Sequence, residues 1–341
     1  MDGGKIGSSL MCLAISLEAA NIGAQCNRRE SLRIIAKAAT AVALGPLSRF
    51  AESESNRTVP HRTLGRTGVN VPIVGLGLGP LGLGGFSPAE LQAAAEAAIG
   101  EGLTYFDVQW DYGDAEHNLA PVLKAHRSKV FLVSKTCEQP RMKTFASLRE
   151  CLGRLGAEYL DAVLLNNIGD FDLDLLTAPD GVLAGLREAQ KEGLVRFLGI
   201  SGHMRAGHFV QALDTGEFDI VMMPINFVDR HTYQFESKVL PVAAKHGVGV
   251  VAMKVLGGAF KYDTRLQRAR LAGPDYEHAI PYALSTENVA TAVIGCKSIQ
   301  EIRQAAHVAH SLRPLGAQET ARLLARGKHL ASQWGLHLGP A

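Results

Sequence analysis

From residue 61 onward, short apolar runs alternate without a break with longer segments of helical spacing. The apolar runs fall at 73–76, 103–108, 130–134, 159–165, 195–200, 220–223, 248–252 and 290–294. Ser87-Pro88-Ala89-Glu90 opens the first long helix, over 91–99. Its Ser and Glu form a capping box, and the Pro suits a first helical turn. Further helices are expected at 115–124, 144–155, 181–191, 206–213, 235–246, 277–284 and 300–312. Strands that are each followed by a helix predict an α/β fold, a closed (β/α)8 TIM barrel rather than an open sheet. Residues 61–72 read as an N-terminal β-hairpin turning at Thr67-Gly68, since Gly supplies the positive φ of a tight turn. Residues 317–333 read as an extra C-terminal helix. With 341 residues the chain is long enough for such a barrel, which needs ~250, and the barrel domain is expected over 59–335.

Barrels of this kind carry their chemistry at the carboxyl ends of the strands. Asp107, Lys135, Asn166, Ser201, Met222, Met253 and Lys297 all fall at or just after those ends. A strand that ends in water accounts equally well for a lone Asp or Lys, so it is the convergence that points to a site. Tyr112 lies in the polar segment Asp111-Tyr112-Gly113-Asp114-Ala115-Glu116 between the second and third runs. A free phenol keeps its proton to a pKa of about 10 and is a poor acid near neutrality unless a cation stabilises the phenolate. Lys135 is placed to be that cation and Asp107 to hold it charged. The trio is therefore expected to protonate a developing alkoxide.

Composition narrows the alternatives. A net charge of +2, 47% hydrophobic residues and no basic stripe interleaved with aromatics give no nucleic-acid footprint. The cysteines, Cys12, Cys26, Cys137, Cys151 and Cys296, include no Cys-x-x-Cys pair and no histidine at ligand spacing, so no metal site is expected. Cys137, two residues past Lys135, reads as a packing residue near the pocket mouth.

Residues 1–58 differ in composition and show no alternation. Arg28-Arg29 precedes an apolar, Ala-rich run over 34–44, which resembles a twin-arginine export signal. The expected reading is a cleaved or disordered leader and a periplasmic protein. A cytoplasmic protein with a disordered amphipathic extension is the alternative, and 52–57 is the linker in either case. The run is far shorter than the ~20 apolar residues of a membrane-spanning helix, so no stable insertion is expected.

With these residues placed, the chain resembles the aldo-keto reductases over most of 61–312. The signatures are Arg62-x-Leu64-Gly65-Arg66-Thr67-Gly68, Gly75-Leu76-Gly77, Asp107-x4-Tyr112-Gly113-x2-Glu116, Ser134-Lys135, Gly199-Ile200-Ser201 and Val293-Ile294-Gly295-x-Lys297-Ser298. The resemblance implies hydride transfer between NADP(H) and a small carbonyl or alcohol substrate by a tetrad of Asp, Tyr, Lys and His, with NAD as the alternative cofactor. It assigns Asp107, Tyr112 and Lys135 to three of the four positions. Where the family usually places His, this chain has Asn166, followed by Asn167. An amide donates a hydrogen bond but does not titrate, so substrate positioning is expected to survive without a pH-dependent role.

Other departures cluster at the implied cofactor site. The family's Ser-Asn pair appears as Ser201-Gly202, its sixth-strand Gln as Met222, and its stacking aromatic as Met253, a residue type able to lie flat against a ring, so that stacking is expected to survive. Leu256-Gly257 is expected to offer backbone groups to the pyrophosphate. Gly79 and Gly295 are expected to border the cofactor. Lys297 and Ser298, at the start of the last barrel helix, are expected to attract a 2′-phosphate. Trp110, Asn167 and His203 are expected to line the substrate pocket.

Two competing readings remain at this stage. Gly75-x-Gly77-x-Gly79 after a strand, with Asp107 ending the next, imitates a dinucleotide fingerprint, but 83–86 separate that loop from the helix start at Ser87. A cofactor-binding sensor or scaffold that has lost turnover is the non-enzyme reading.

Overall fold

The computed structural model describes residues 58–258 and 269–341. The leader, its paired arginines and residues 259–268 lie outside the described residues.

Strands β1 (His61–Thr63) and β2 (Asn70–Pro72) form the expected antiparallel hairpin around a single 3-10 turn. Gly68 closes that turn at a φ of 69°. Arg62 fastens the hairpin by donating to the carbonyls of Leu284 and Val289, each at 2.8 Å. The backbone N–H of Arg66 reaches the carbonyl of Gly247 at 2.6 Å. A Cβ on Gly65 would lie 2.2 Å from the backbone nitrogen of Gly249, so only glycine permits this approach.

Eight parallel strands close the barrel: β3 (Val74–Gly77), β4 (Tyr105–Asp107), β5 (Phe131–Thr136), β6 (Leu160–Leu165), β7 (Val195–Ser201), β8 (Ile220–Pro224), β9 (Gly249–Met253) and β10 (Val289–Gly295). The strands pair in chain order, and β10 closes onto β3 with Ala292 opposite Val74. The helices in sequence order are α1 (Gly79–Leu83), α2 (Pro88–Gly100), α3 (Ala115–His126), α4 (Arg141–Leu155), α5 (Val182–Lys191), α6 (Ala206–Asp214), α7 (Phe235–Lys245), α8 (Pro274–Ser285), α9 (Ile299–His310) and α10 (Ala317–Trp334).

Because side chains alternate across a strand, the barrel carries two apolar layers. Tyr105, Phe131, Val133, Leu164, Ile220, Met222 and Val251 fill the interior. Phe106, Leu132, Val163, Leu165, Ile200 and Val250 face the helices. The capping box of α2 is present in both directions.

The structure differs from expectation at α1, where the sequence pattern suggested only a loop. Gly-Pro-Leu-Gly-Leu forms a short helix with Pro in its first turn. Its glycines exist for contact: a Cβ on Gly82 would lie 2.1 Å from the backbone oxygen of Tyr112. The dinucleotide-fingerprint reading falls with the closed barrel, which replaces the open sheet that it requires. Among the described residues, no helix is long and apolar enough to cross a membrane, and no cluster of His, Cys, Asp and Glu has the make-up of a metal site.

Candidate active site

Strand parity assembles the site. On β4 the inward residues are Tyr105 and Asp107, and on β5 they are Phe131, Val133 and Lys135. The deeper members fill the barrel, and the last of each meets the mouth. Lys135 donates to both oxygens of Asp107, at 2.6 and 2.7 Å, with both side chains almost wholly buried. Burial alone would neutralise such a pair. At Lys135 the two-pronged contact outweighs it, and Asp107 and the Tyr112 phenol together hold the amine above the ordinary lysine range, whereas at Asp107 burial lifts the carboxyl above its usual range and Lys135 offsets this only in part.

Tyr112 enters from the loop between β4 and α3. Its backbone N–H bonds to the carbonyl of Gln109 at 3.1 Å, and α1 supports its far side, where a Cβ on Gly79 would meet the ring at 3.4 Å. The Lys135 amine lies 5.2 Å from the centre of the Tyr112 ring. Burial pushes the phenol above its usual pKa, and Lys135 only partly offsets this against Asp107 and Asp111. The phenol is therefore proton-bearing throughout the neutral range, as a general acid must be. Below it, buried Glu116 accepts from Ser134 at 3.0 Å, from Cys151 at 3.1 Å and from Arg154 at 2.6 Å, which ties α3 to β5 and α4.

Asn166 stands at the end of β6, facing the mouth as expected, but it is already engaged. The Ser201 hydroxyl donates to its Oδ1 at 2.8 Å, and its Nδ2 donates to Oε1 of Gln109 at 3.2 Å. Gln109 is a site residue that the motif reading passed over. The signal was available, since it follows Asp107 by two positions and so shares its face.

The other expected site residues spread around the same rim. Asn167 takes a left-handed φ of 59°, and its buried Oδ1 has no partner among the described residues. His203 lies near Lys254, Lys135 and His337. Burial and those three groups together hold its imidazole well below the usual range, so it is neutral at pH 7. Trp110 is half exposed and borders a cleft of about 460 Å³ that also touches His117, Lys135, Glu138 and Lys143. Met222 faces inward and is fully buried in the barrel core, one layer below the rim, whereas Met253 at the end of β9 is partly exposed.

Leu256 is buried, and Gly257 turns the chain at a φ of 77° beside Ala269. Gly295 packs on Pro80, where a Cβ would lie 2.7 Å from the proline ring. Lys297 and Ser298 are exposed at the start of α9. There Ser298 accepts from the Glu301 N–H at 3.1 Å, and the Glu301 carboxylate accepts from the Lys297 N–H at 2.7 Å.

The structure brings together, at the strand ends of a closed barrel, a paired acid and lysine with a tyrosine ring beside the amine. The profile of the Aldo/keto reductase family matches residues 74–278. The chain belongs to the aldo/keto reductase family. Among curated relatives, an L-galactose dehydrogenase of Arabidopsis thaliana is 24% identical over 81% of this chain and 98% of its own length. A 6-dehydroglucose reductase of Novosphingobium aromaticivorans is 26% identical over 80% of this chain and 91% of its own length. Among solved structures, an aldo-keto reductase from Bacillus halodurans in its holo form superposes with a TM-score of 0.65 at 21% identity, covering 79% of this chain and 96% of that one. An aldo/keto reductase from Klebsiella pneumoniae in complex with NADP and acetate superposes with a TM-score of 0.62 at 24% identity, covering 78% and 94%. These likenesses concern the barrel. Within this aldo/keto reductase, Asn166 is engaged by Ser201 on one side and by Gln109 on the other.

Proposed function

We propose that the protein transfers a hydride between NADP(H) and a carbonyl or alcohol carbon, with Tyr112 as the acid that protonates the carbonyl oxygen in the reducing direction. The observation that carries this reading is the buried Asp107–Lys135 pair, whose amine stands 5.2 Å from the centre of the Tyr112 ring. Asp107 holds Lys135 charged, Lys135 stabilises the phenolate left after proton transfer, and α1 fixes the ring. In oxidation the same phenol works in reverse as the base.

The residues present suit a nicotinamide dinucleotide, which when bound supplies or accepts the hydride. Lys297 and the start of α9 stand exposed at the end of β10 to receive a phosphate. The Glu301 carboxylate, now capping α9, has to move aside for a 2′-phosphate. The Klebsiella relative binds NADP, which supports NADP over NAD.

For the substrate, the relatives named for galactose and dehydroglucose support a small hydroxylated carbonyl compound. A panel of short aldehydes, aldoses and ketones followed by NADPH absorbance, repeated with NADH, tests the reading. Turnover that collapses in Tyr112→Phe while NADPH still binds is the expected result. Wild-type protein that binds NADPH yet reduces and oxidises nothing in the panel would identify a sensor instead. The paired arginines of the leader support export to the periplasm, and fractionation of the expressing cell tests that.

A further inference from the structure

The direction of the hydrogen bonds around Asn166 assigns a role to Gln109. Ser201 is fully buried, and Asn166 Oδ1 is the only acceptor for its hydroxyl proton among the described residues. That contact fixes which end of the Asn166 amide is oxygen, so its Nδ2 must face Gln109, and Gln109 must present Oε1 to it. The Gln109 –NH2 is left at the end of the side chain, with no acceptor among the described residues.

Topology says where that group lies. Gln109 follows β4 and Asn166 follows β6, and β5 lies between those strands in the barrel. The side chain that bridges them therefore crosses the end of β5, where Lys135 projects inward to Asp107 and Tyr112. Gln109 is almost wholly buried, so this is an inner wall of the mouth and not its rim.

We propose that the Gln109 amide is the second hydrogen-bond donor to the reacting carbonyl oxygen, working beside the Tyr112 phenol, with Asn166 and Ser201 as positioning residues that aim it. The inference rests on the oxidoreductase reading above. As the carbonyl carbon accepts a hydride from the reduced nicotinamide, the C=O π pair moves onto oxygen, which takes the proton of Tyr112. Gln109 donates a hydrogen bond to that oxygen and transfers nothing.

The test uses the full-length protein with NADPH and the aldehyde of the panel that it reduces fastest. Gln109→Glu keeps the size and the acceptor for Asn166 but removes the donor, and Gln109→Met removes both. Both variants are expected to lower kcat by roughly 10²–10³-fold, the usual effect of losing an oxyanion donor, with NADPH affinity unchanged. Gln109→His is expected to retain more activity and to acquire a new step in its pH–rate profile near the ordinary imidazole value of about 6.5. Ser201→Ala, which frees Asn166 to rotate, is expected to fall between wild type and Gln109→Met. An active wild type whose Gln109 variants keep both kcat and pH profile overturns the inference alone. Loss of NADPH binding in the Glu and Met variants also overturns it, because residue 109 then props the cofactor pocket. A wild type that binds NADPH but turns over no carbonyl overturns the functional reading and the inference with it.

Discussion

At the scale of single residues, the site depends on a charge kept where charges are costly. Asp107 and Lys135 are both buried and satisfy each other. Removing one leaves the other unpaired in the barrel mouth, which typically costs about 3–5 kcal/mol. Lys135→Met is therefore expected to lower stability by that amount in urea unfolding and to abolish turnover. The matching pH argument concerns Tyr112, whose phenol burial lifts above its usual value. Reduction requires the protonated form, which exists below the pKa, so raising the pKa widens the active range upward. Since neither Asn166 nor Gln109 titrates, kcat for reduction is expected to stay flat from about pH 6 to pH 9 and to fall only in the phenol range near or above about 10. A profile with a histidine-like step near neutrality would contradict both assignments.

At the scale of elements, α1 is the part that positions Tyr112, the proposed acid. Tyr112 sits on a loop, and loops are held less firmly than strands. Here the support comes from Gly79, which faces the ring, and from Gly82 and Gly113, which let the two backbones touch. A Cβ on Gly113 would lie 2.6 Å from the oxygen of Gly82. Gly82→Ala must push the Tyr112 backbone away, so it is expected to cost about 1–3 kcal/mol by overpacking and to reduce kcat far more than it affects cofactor binding. Stopped-flow turnover against an NADPH fluorescence titration separates those effects. Apolar spacing could not reveal α1, because a Gly-Pro-Leu-Gly-Leu segment carries no helical stripe. Its signal lies in what it packs against. The longer helices were readable because apolar stripes, a capping box at Ser87-Glu90 and their place between strands all agreed.

At the scale of the whole molecule, the chain's end is built into the mouth. After α10 the chain turns at Gly335 and buries His337, whose ring bonds to Asp229 at 2.7 Å and to the carbonyl of Gly258 at 3.1 Å. Leu338 then donates to the Tyr233 hydroxyl at 2.7 Å, and Gly339 packs against Met204. Asp229 also accepts from Asn226 at 2.6 Å, and Asn226 donates to the carbonyl of Lys254 at 3.0 Å. The tail thus joins the ends of β8 and β9. His337→Leu is expected to destabilise the protein by about 3 kcal/mol, because Asp229 stays buried without one of its partners. The check is a drop of several degrees in Tm, together with a raised Kd for NADPH from the loosened β9 end.

By itself the sequence determined the closed barrel, its hairpin and its terminal helix, and it singled out Asp107, Tyr112 and Lys135 as the candidate trio. These follow from periodicity and from residue types whose chemistry is fixed wherever they sit. Only the tertiary structure decided how Asn166 is used, that Gln109 reaches it across β5, that α1 supports the tyrosine and that His337 returns to the mouth. Each of those is a contact between residues far apart in the chain. Such contacts depend on which strands become neighbours and how closely two backbones approach, and no local pattern records either.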